Sequence, residues 1–169
     1  PVLHGTFGED GTIQGIFDIM DVPYVGCGVL GSSVAMDKVV TKQVCESAGV
    51  STCEYTCLYK KEILDDIDRC VATLTICYDL PLFVKPANMG SSVGISKAVD
   101  KDSLKEALLE AIKYDNKVII ETFVKGREVE VAVMGNDTIE ASCVGEIVPC
   151  NEFYDYEAKY LSGDNSAVI

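Results

Sequence analysis

The chain is poor in positive charge, nearly without histidine and free of long apolar runs. Its 14 Lys and Arg stand against 27 Asp and Glu, a formal net charge of −13. The basic residues are scattered rather than clustered, so neither a nucleic acid nor an anionic membrane surface is an expected partner. A small anionic ligand stays open, because a few local lysines and loop amides can override the overall field. No run approaches the roughly 18 apolar residues of a membrane span. No charged-then-apolar leader opens the chain, so export is not expected. The only histidine is His4, and none of the eight cysteines forms a C-x-x-C pair, which argues against a zinc site of the Cys/His kind. Reduced thiols on apolar helix faces act as small hydrophobes, and a reducing, cytoplasmic compartment accounts for them most simply. An initiator Met is missing too. Pro1-Val2-Leu3-His4-Gly5 reads as the end of a buried strand and Ser166-Ala167-Val168-Ile169 as the start of another, so an internal fragment is expected.

What is present centres on LFVKPANMGSSVGIS, residues 82–96. An apolar run delivers Lys85 and Pro86 into a loop of small residues, which predicts a strand, a tight turn and a second strand, with a buried lysine at the end of the first. Gly90 and Gly94 permit backbone angles and close approaches that a side chain would block. Consecutive loop amides and the hydroxyls of Ser91 and Ser92 suit phosphate oxygens, and Lys85 would add a point charge. A plain hairpin turn with an incidental lysine fits the composition equally well.

Elsewhere, 48% apolar content across 169 residues supports a real core in one large domain or two small ones. Residues 4–11 form a polar, Gly-rich loop whose Asp10, or else Thr12, would cap a helix carrying Ile13, Ile16, Phe17 and Met20 on one face. His4 is either a solvated loop residue or a site residue at a strand end. Pro23-Tyr24-Val25 reads as a short strand before Gly26-Cys27-Gly28-Val29-Leu30-Gly31, a G-x-G-x-x-G match. A dinucleotide site also needs a following strand ending in an acidic residue, and that context is missing, so a hinge-like linker is the plainer reading. Helices are expected over 33–47 and 62–78, and after Asp100 with Leu104, Ala107, Leu108, Ala111 and Ile112 as the stripe. Lys38 is either a surface lysine or one that reaches a ligand. Strands are expected at 55–59 and 118–120, the latter ending at Glu121. Residues 127–133 alternate as a half-buried antiparallel strand, returned through Gly135-Asn136-Asp137 by 138–148. Residues 150–166 form a long polar loop holding FYDYEAKY, whose aromatic density argues for function rather than disorder.

Five motifs then stand in order: LHG-x-x-GEDG at 3–11, MDK at 36–38, VKP-x-x-x-GSSVGIS at 84–96, IE at 120–121 with GRE at 126–128, and FYDYEAKY at 153–160. Together they resemble the D-alanine–D-alanine ligases of the ATP-grasp superfamily, over essentially the whole chain. The resemblance implies an α/β (α+β) ATP-grasp fold, here partial. Residues 1–26 would end an N-terminal substrate domain, 27–121 would be the central subdomain, and 122–169 would begin the C-terminal one. It implies that ATP is held between two sheets. Lys38 and Lys85 would contact its phosphates, and Ser91 and Ser92 would sit on the loop that closes over them. Glu121 with the backbone of Thr122, Phe123 and Val124 would read adenine, Glu128 would hold the ribose, and His4 would lie near the first D-alanine. Tyr154, Lys159 and Tyr160 would ride on a mobile loop, with Lys159 approaching the transferred phosphate and Tyr160 bonding toward Ser91.

The resemblance further implies ATP-dependent ligation of two D-alanines through an acyl phosphate, for peptidoglycan precursors, cell-wall growth and cell shape. The Mg²⁺ ligands would lie after Ile169 and the opening Gly-rich strand before Pro1, so the isolated piece is not expected to be active. D-alanine and ATP are the expected partners, with a homodimer as the candidate assembly. D-serine as second substrate stays open, and D-lactate is disfavoured by the lack of a histidine in residues 157–160. Two readings of other classes remain: a non-catalytic nucleotide-binding module, and a dinucleotide oxidoreductase using Gly26–Gly31.

Overall fold

A computed structural model describes residues 1–148 and the backbone of 167–168. The expected loop over 150–166, with Tyr154, Lys159 and Tyr160, lies outside the described residues. The chain divides into two compact units, Pro1–Phe123 and Val124–Ile169.

The first unit runs α1 (Thr12–Ile19), α2 (Val29–Met36), α3 (Lys38–Ser47), β1 (Tyr55–Tyr59), α4 (Lys60–Asp65), α5 (Ile67–Cys77), β2 (Leu82–Pro86), β3 (Ser96–Ala98), α6 (Lys101–Ala111) and β4 (Lys117–Thr122). Its four strands form an antiparallel sheet in the order β1-β4-β2-β3. Strand alternation sorts side chains onto two faces. Leu82, Val84, Val118 and Ile120 point to one face and pack with Leu104 and Leu108 of α6, Ile63 of α4 and Leu74 of α5. The opposite face carries Ile119, which packs with Ala87 and with Val39 of α3, flanked by Tyr55 and Cys57. The stripe expected on α6 is buried along its length, and Asp100 caps that helix by accepting from Ser103 N at 2.8 Å.

Two expected helices are broken in the structure, each by an aspartate. The helix expected over 33–47 is α2 followed by α3, parted at Asp37, whose Oδ1 accepts from Val39 N and Val40 N at 3.1 Å. The helix expected over 62–78 is α4 followed by α5, parted at Asp66, which accepts from Arg69 N at 2.9 Å. Aspartate gains more as an N-cap than inside a helix, so each one restarts the chain. At α1 the N-cap is Gly11, at φ 94°, rather than Thr12 or Asp10. Asp10 instead accepts from Phe7 N and Thr12 N, both at 2.9 Å, and closes the preceding loop. Pro23-Tyr24-Val25 is not a strand. Tyr24 packs its ring, tilted by 41°, against Phe17 of α1 at 5.5 Å between ring centroids, and Pro23 has no N–H to give a ladder. Without that strand, and with an antiparallel sheet, Gly26–Gly31 only leads into α2, Gly28 being its N-cap.

The second unit holds β5 (Glu128–Glu130), β6 (Val133–Met134), β7 (Glu140–Ala141), β8 (Gly145–Val148) and β9 (Ala167–Val168). β8 pairs with β5 and β9, and β6 with β7, all antiparallel. The strand expected over 127–133 is thus two short pieces, and β5 and β6 are exposed rather than half-buried. Ser142 interrupts the hairpin: its Oγ accepts from Ala132 N at 3.0 Å and its N donates to Ala132 O at 2.9 Å. The turn at Gly135 is as expected; its φ is 131°, and a Cβ there would fall 2.0 Å from Thr138 O. The cysteines among the described residues are free thiols.

Truncating Leu108, which is fully buried, should cost about 3 kcal/mol, since a large-to-small core change loses transfer energy and leaves a cavity. The same change at Leu64, 61% exposed, should stay within about 0.5 kcal/mol. Urea midpoints of Leu108→Ala and Leu64→Ala, each against the native protein, check both.

Candidate functional site

The register of the sheet builds the site. Tyr55 pairs with Glu121, Glu121 with Phe83, and Phe83 with Lys97, so four side chains from four strands line up in one row across the face away from α6. The next row on that face is Cys57, Ile119 and Lys85. α3 lies against the same face through Val39, which brings in Lys38 and Lys42, one turn apart.

Glu121 is the centre. Its side chain is 8% exposed, and its two oxygens are held separately. Oε1 meets Lys42 Nζ at 2.9 Å, and Oε2 is ion-paired with Lys85 Nζ. Burial alone would raise the Glu121 pKa, but the charge of Lys85 and the bonds from Lys85 and Lys42 outweigh it and hold the carboxyl below its usual range. Lys42 also donates to Cys53 O at 3.2 Å and Sγ at 3.0 Å. Its ammonium lies 5.1 Å from the centre of the Tyr55 ring. Burial would lower its pKa, yet the bonds to Cys53 and Glu121 carry it above the ordinary value. Lys85 is half-buried rather than buried, with 25% of its side chain exposed, and its Nζ sits 5.5 Å from the Phe83 ring centre.

Lys38 Nζ bonds Met89 O at 2.6 Å and Ala87 O at 3.4 Å, where β2 runs into the glycine–serine loop. Burial first, and then the neighbouring charge of Lys85, lower its pKa, with Glu121 opposing. Around it, Asp37 caps α3 and is ion-paired with Lys117 of β4. Asp115 accepts from Asn88 N at 2.8 Å and Nδ2 at 2.9 Å. Lys38, Lys85 and Glu121 are therefore one electrostatic cluster.

The loop itself turns through Val93 N to Gly90 O at 3.2 Å and Ile95 N to Ser92 O at 3.3 Å. Ser91 and Ser92 adopt left-handed backbone angles, φ 54° and 60°, which L-residues usually avoid and which gather at ligand-binding loops. Gly90 has no room for a side chain: a Cβ would lie 3.1 Å from Gly5 Cα and 3.2 Å from Glu9 Oε2. That contact sets the loop of residues 4–11 against residues 89–90, and Thr6 Oγ1 reaches Met89 Sδ at 3.6 Å. His4, exposed, precedes Gly5 in that loop.

The strand-end residues are placed in part. Thr122 N donates to Glu54 O at 3.0 Å and Phe123 N to Pro81 O at 3.3 Å. Phe123 faces Phe83 at 6.0 Å between centroids and receives the Lys97 ammonium at 4.9 Å. Val124 and Glu128 belong to the second unit, where Glu128 opens β5 opposite Ile147. Among the described residues no cluster of three or more His, Cys, Asp or Glu could hold a metal ion. No described helix is long and apolar enough to cross a membrane. The residues of this cluster that the motifs missed are Lys42 and Asp115; Asp37 lies inside the MDK motif but was given no role there. The i, i+4 spacing of Lys38 and Lys42 was the legible signal for the first.

A groove of about 460 Å³ runs between β1 and α5, lined by Leu58, Glu62, Arg69, Cys70 and Tyr78 among others. It faces the α6 side of the sheet and takes no part in the lysine cluster, because Leu58 packs with the core on that side.

The family model described as "D-ala D-ala ligase C-terminus" matches residues 44–169, and "D-ala D-ala ligase N-terminus" matches residues 1–27. The D-alanine–D-alanine ligase of Acetivibrio thermocellus is 55% identical over all 169 residues, which cover 45% of that relative. The one from Ruminiclostridium cellulolyticum is 53% identical, with the same coverage. The chain thus spans about half the length of the curated relatives it matches. Among solved structures, D-alanyl-alanine synthetase A from Vibrio cholerae superposes with a TM-score of 0.84 at 30% identity, over 100% of this chain and 50% of that one. The VanG D-Ala:D-Ser ligase from Enterococcus faecalis superposes at 0.82 and 36% identity, over 100% of this chain and 47% of that one.

Replacing Glu121 by Gln should cost about 3 kcal/mol at neutral pH, because it strips the nearly buried Lys42 and the half-buried Lys85 of their shared anion. Since the folded-state pKa of Glu121 is lowered, its contribution is present above the unfolded value and disappears as pH falls through the folded one. Urea unfolding of native and Glu121→Gln protein should therefore differ at pH 7 and converge below the ordinary carboxylate range.

Proposed function

Because this chain belongs to the D-alanine–D-alanine ligase family, with matches to its models over residues 1–27 and 44–169, we propose that the protein containing it uses ATP to join two D-alanines. The product is D-alanyl-D-alanine, for peptidoglycan precursors and hence cell-wall growth and cell shape. The observation that carries the proposal is the lysine cluster around Glu121, beside a glycine–serine loop with left-handed backbone. An anionic triphosphate matches that cluster: the Lys38 and Lys85 ammonium groups stand close enough to feel each other's charge, beside a loop that Gly90 and Gly94 let pack tightly against Gly5, Pro86 and Tyr114.

The chemistry proceeds in two displacements. A carboxylate oxygen of the first D-alanine attacks the γ-phosphorus and ADP leaves. The free amine of the second D-alanine then attacks the acyl carbon, the acyl C–O bond breaks, and phosphate departs as the nitrogen sheds a proton. Such transfers need charge stabilisation and positioning more than a covalent nucleophile. Lys38 and Lys85 serve the phosphates, and Ser91 and Ser92 the loop over them. Glu121 and the backbone of Thr122, Phe123 and Val124 read adenine, as the resemblance implies; the Thr122 and Phe123 amides donate to Glu54 O and Pro81 O, so those two residues offer their carbonyls. Glu128 takes the ribose, and His4 stands near the first D-alanine. Tyr154, Lys159 and Tyr160 keep the roles the resemblance implies, closing over the site and excluding water. Mg²⁺ would neutralise phosphate charge, with ligands supplied from beyond the described residues. A cytoplasmic location and a homodimer complete the proposal.

D-serine as second substrate is kept as an alternative, because the structural match to a D-Ala:D-Ser ligase spans the whole chain. In the full-length protein, ATP- and D-alanine-dependent phosphate release should be readily measurable. Lys85→Ala should reduce it by about 100-fold or more, the scale of losing one stabilising charge. D-alanine-independent hydrolysis, or turnover unchanged by Lys85→Ala, would count against the assignment. Supplying D-serine with a limiting first D-alanine separates the two dipeptide products.

A further inference from the structure

The phosphate-binding lysine of the proposed site does not stand free. Lys85 is tied to Oε2 of Glu121, and Lys42 to Oε1 of the same carboxylate. Three facts set Lys42 apart from an ordinary surface lysine. Its side chain is only 12% exposed. It is braced by the carbonyl and thiol of Cys53 and by the Tyr55 ring. It also projects from α3 one turn after Lys38, so the helix that supplies one phosphate lysine supplies the counter-charge for the anchor of the other.

A buried carboxylate with a single cationic partner makes a neutral, tightly held pair, and a lysine in such a pair offers little to an arriving anion. A second cation on the other oxygen changes this. The group of Lys42, Glu121 and Lys85 then carries one net positive charge, and Lys85 can turn a donor toward phosphate while Glu121 stays neutralised. We propose that Lys42 is a positioning residue for nucleotide: it neutralises Glu121 so that Lys85 is aimed by that carboxylate without being trapped by it. The inference rests on the nucleotide-binding reading above and names a residue to which that reading assigns no role.

The test is a cycle of variants in the full-length protein, with calorimetric binding of a non-hydrolysable ATP analogue and steady-state kinetics as readouts. Lys42→Met keeps the aliphatic stem and removes the charge. It should weaken analogue binding by about tenfold or more and raise KM for ATP in parallel, leaving KM for D-alanine close to native. Adding Glu121→Gln to Lys42→Met should restore binding relative to Lys42→Met alone, because the charge that traps Lys85 is gone while the Gln side-chain oxygen still accepts a hydrogen bond from adenine. Lys42→Arg should stay near native. If Lys42→Met does not fold, Lys42→Gln takes its place in the same cycle.

A merely structural role makes the opposite prediction, since a second change beside a damaged site deepens the loss. A double variant as weak as Lys42→Met or weaker, a Lys42→Met that binds like native, or losses shared equally with D-alanine would overturn the proposal. Absence of analogue binding by the native protein is a different result. It would remove the functional reading itself, and this inference with it.

Discussion

A carboxylate buried in the middle of a sheet face must either lose its charge or collect cations, and Glu121 collects two. The requirement reaches through the first unit. β4 is flanked by β1 on one side and β2 on the other, so the row of Tyr55, Glu121, Phe83 and Lys97 exists only in the observed register. A slip of one residue would turn Glu121 toward Leu104 and Leu108 and leave it without partners. The apolar packing beneath the sheet and the ion pairs above it therefore enforce the same alignment.

The loops are tied to that alignment by other carboxylates. Asp37 ends one helix, starts the next and grips Lys117 at the beginning of β4, which places Lys38 over the exit of β2. Asp115 holds Asn88 in the same exit. From there the glycine–serine loop turns with Ser91 and Ser92 in left-handed angles, and Gly90 comes close enough to Gly5 to seat the His4 loop beside it. Each contact fixes backbone that would otherwise be free to move.

Legibility followed how local each cause was. The α6 stripe and its Asp100 cap, the β2–turn–β3 stretch and β4 could be read directly, because their signals lie within a few residues. The breaks at Asp37 and Asp66 could not be read from apolar periodicity, which runs on through both positions. The capping preference of aspartate was present in the sequence but competed with that pattern. Pro23-Tyr24-Val25 had strand composition and lacked a strand to pair with. β5 and β6 alternated correctly, yet alternation does not say whether the apolar side meets anything, and here it is exposed.

The amino-acid order alone settled the family, through motifs whose types and spacing recur together, and with it the identities of Lys38, Lys85, Ser91, Ser92 and Glu121 as the residues to watch. It also settled the core helix and the strands that bear those residues. Only the tertiary structure decided that Lys42 shares the Glu121 carboxylate with Lys85, and that the His4 loop rests on Gly90. The physical reason is distance along the chain. Lys42 and Glu121 are far apart in sequence, so their meeting depends on where α3 settles against a sheet assembled from distant strands. Local periodicity carries no record of that placement.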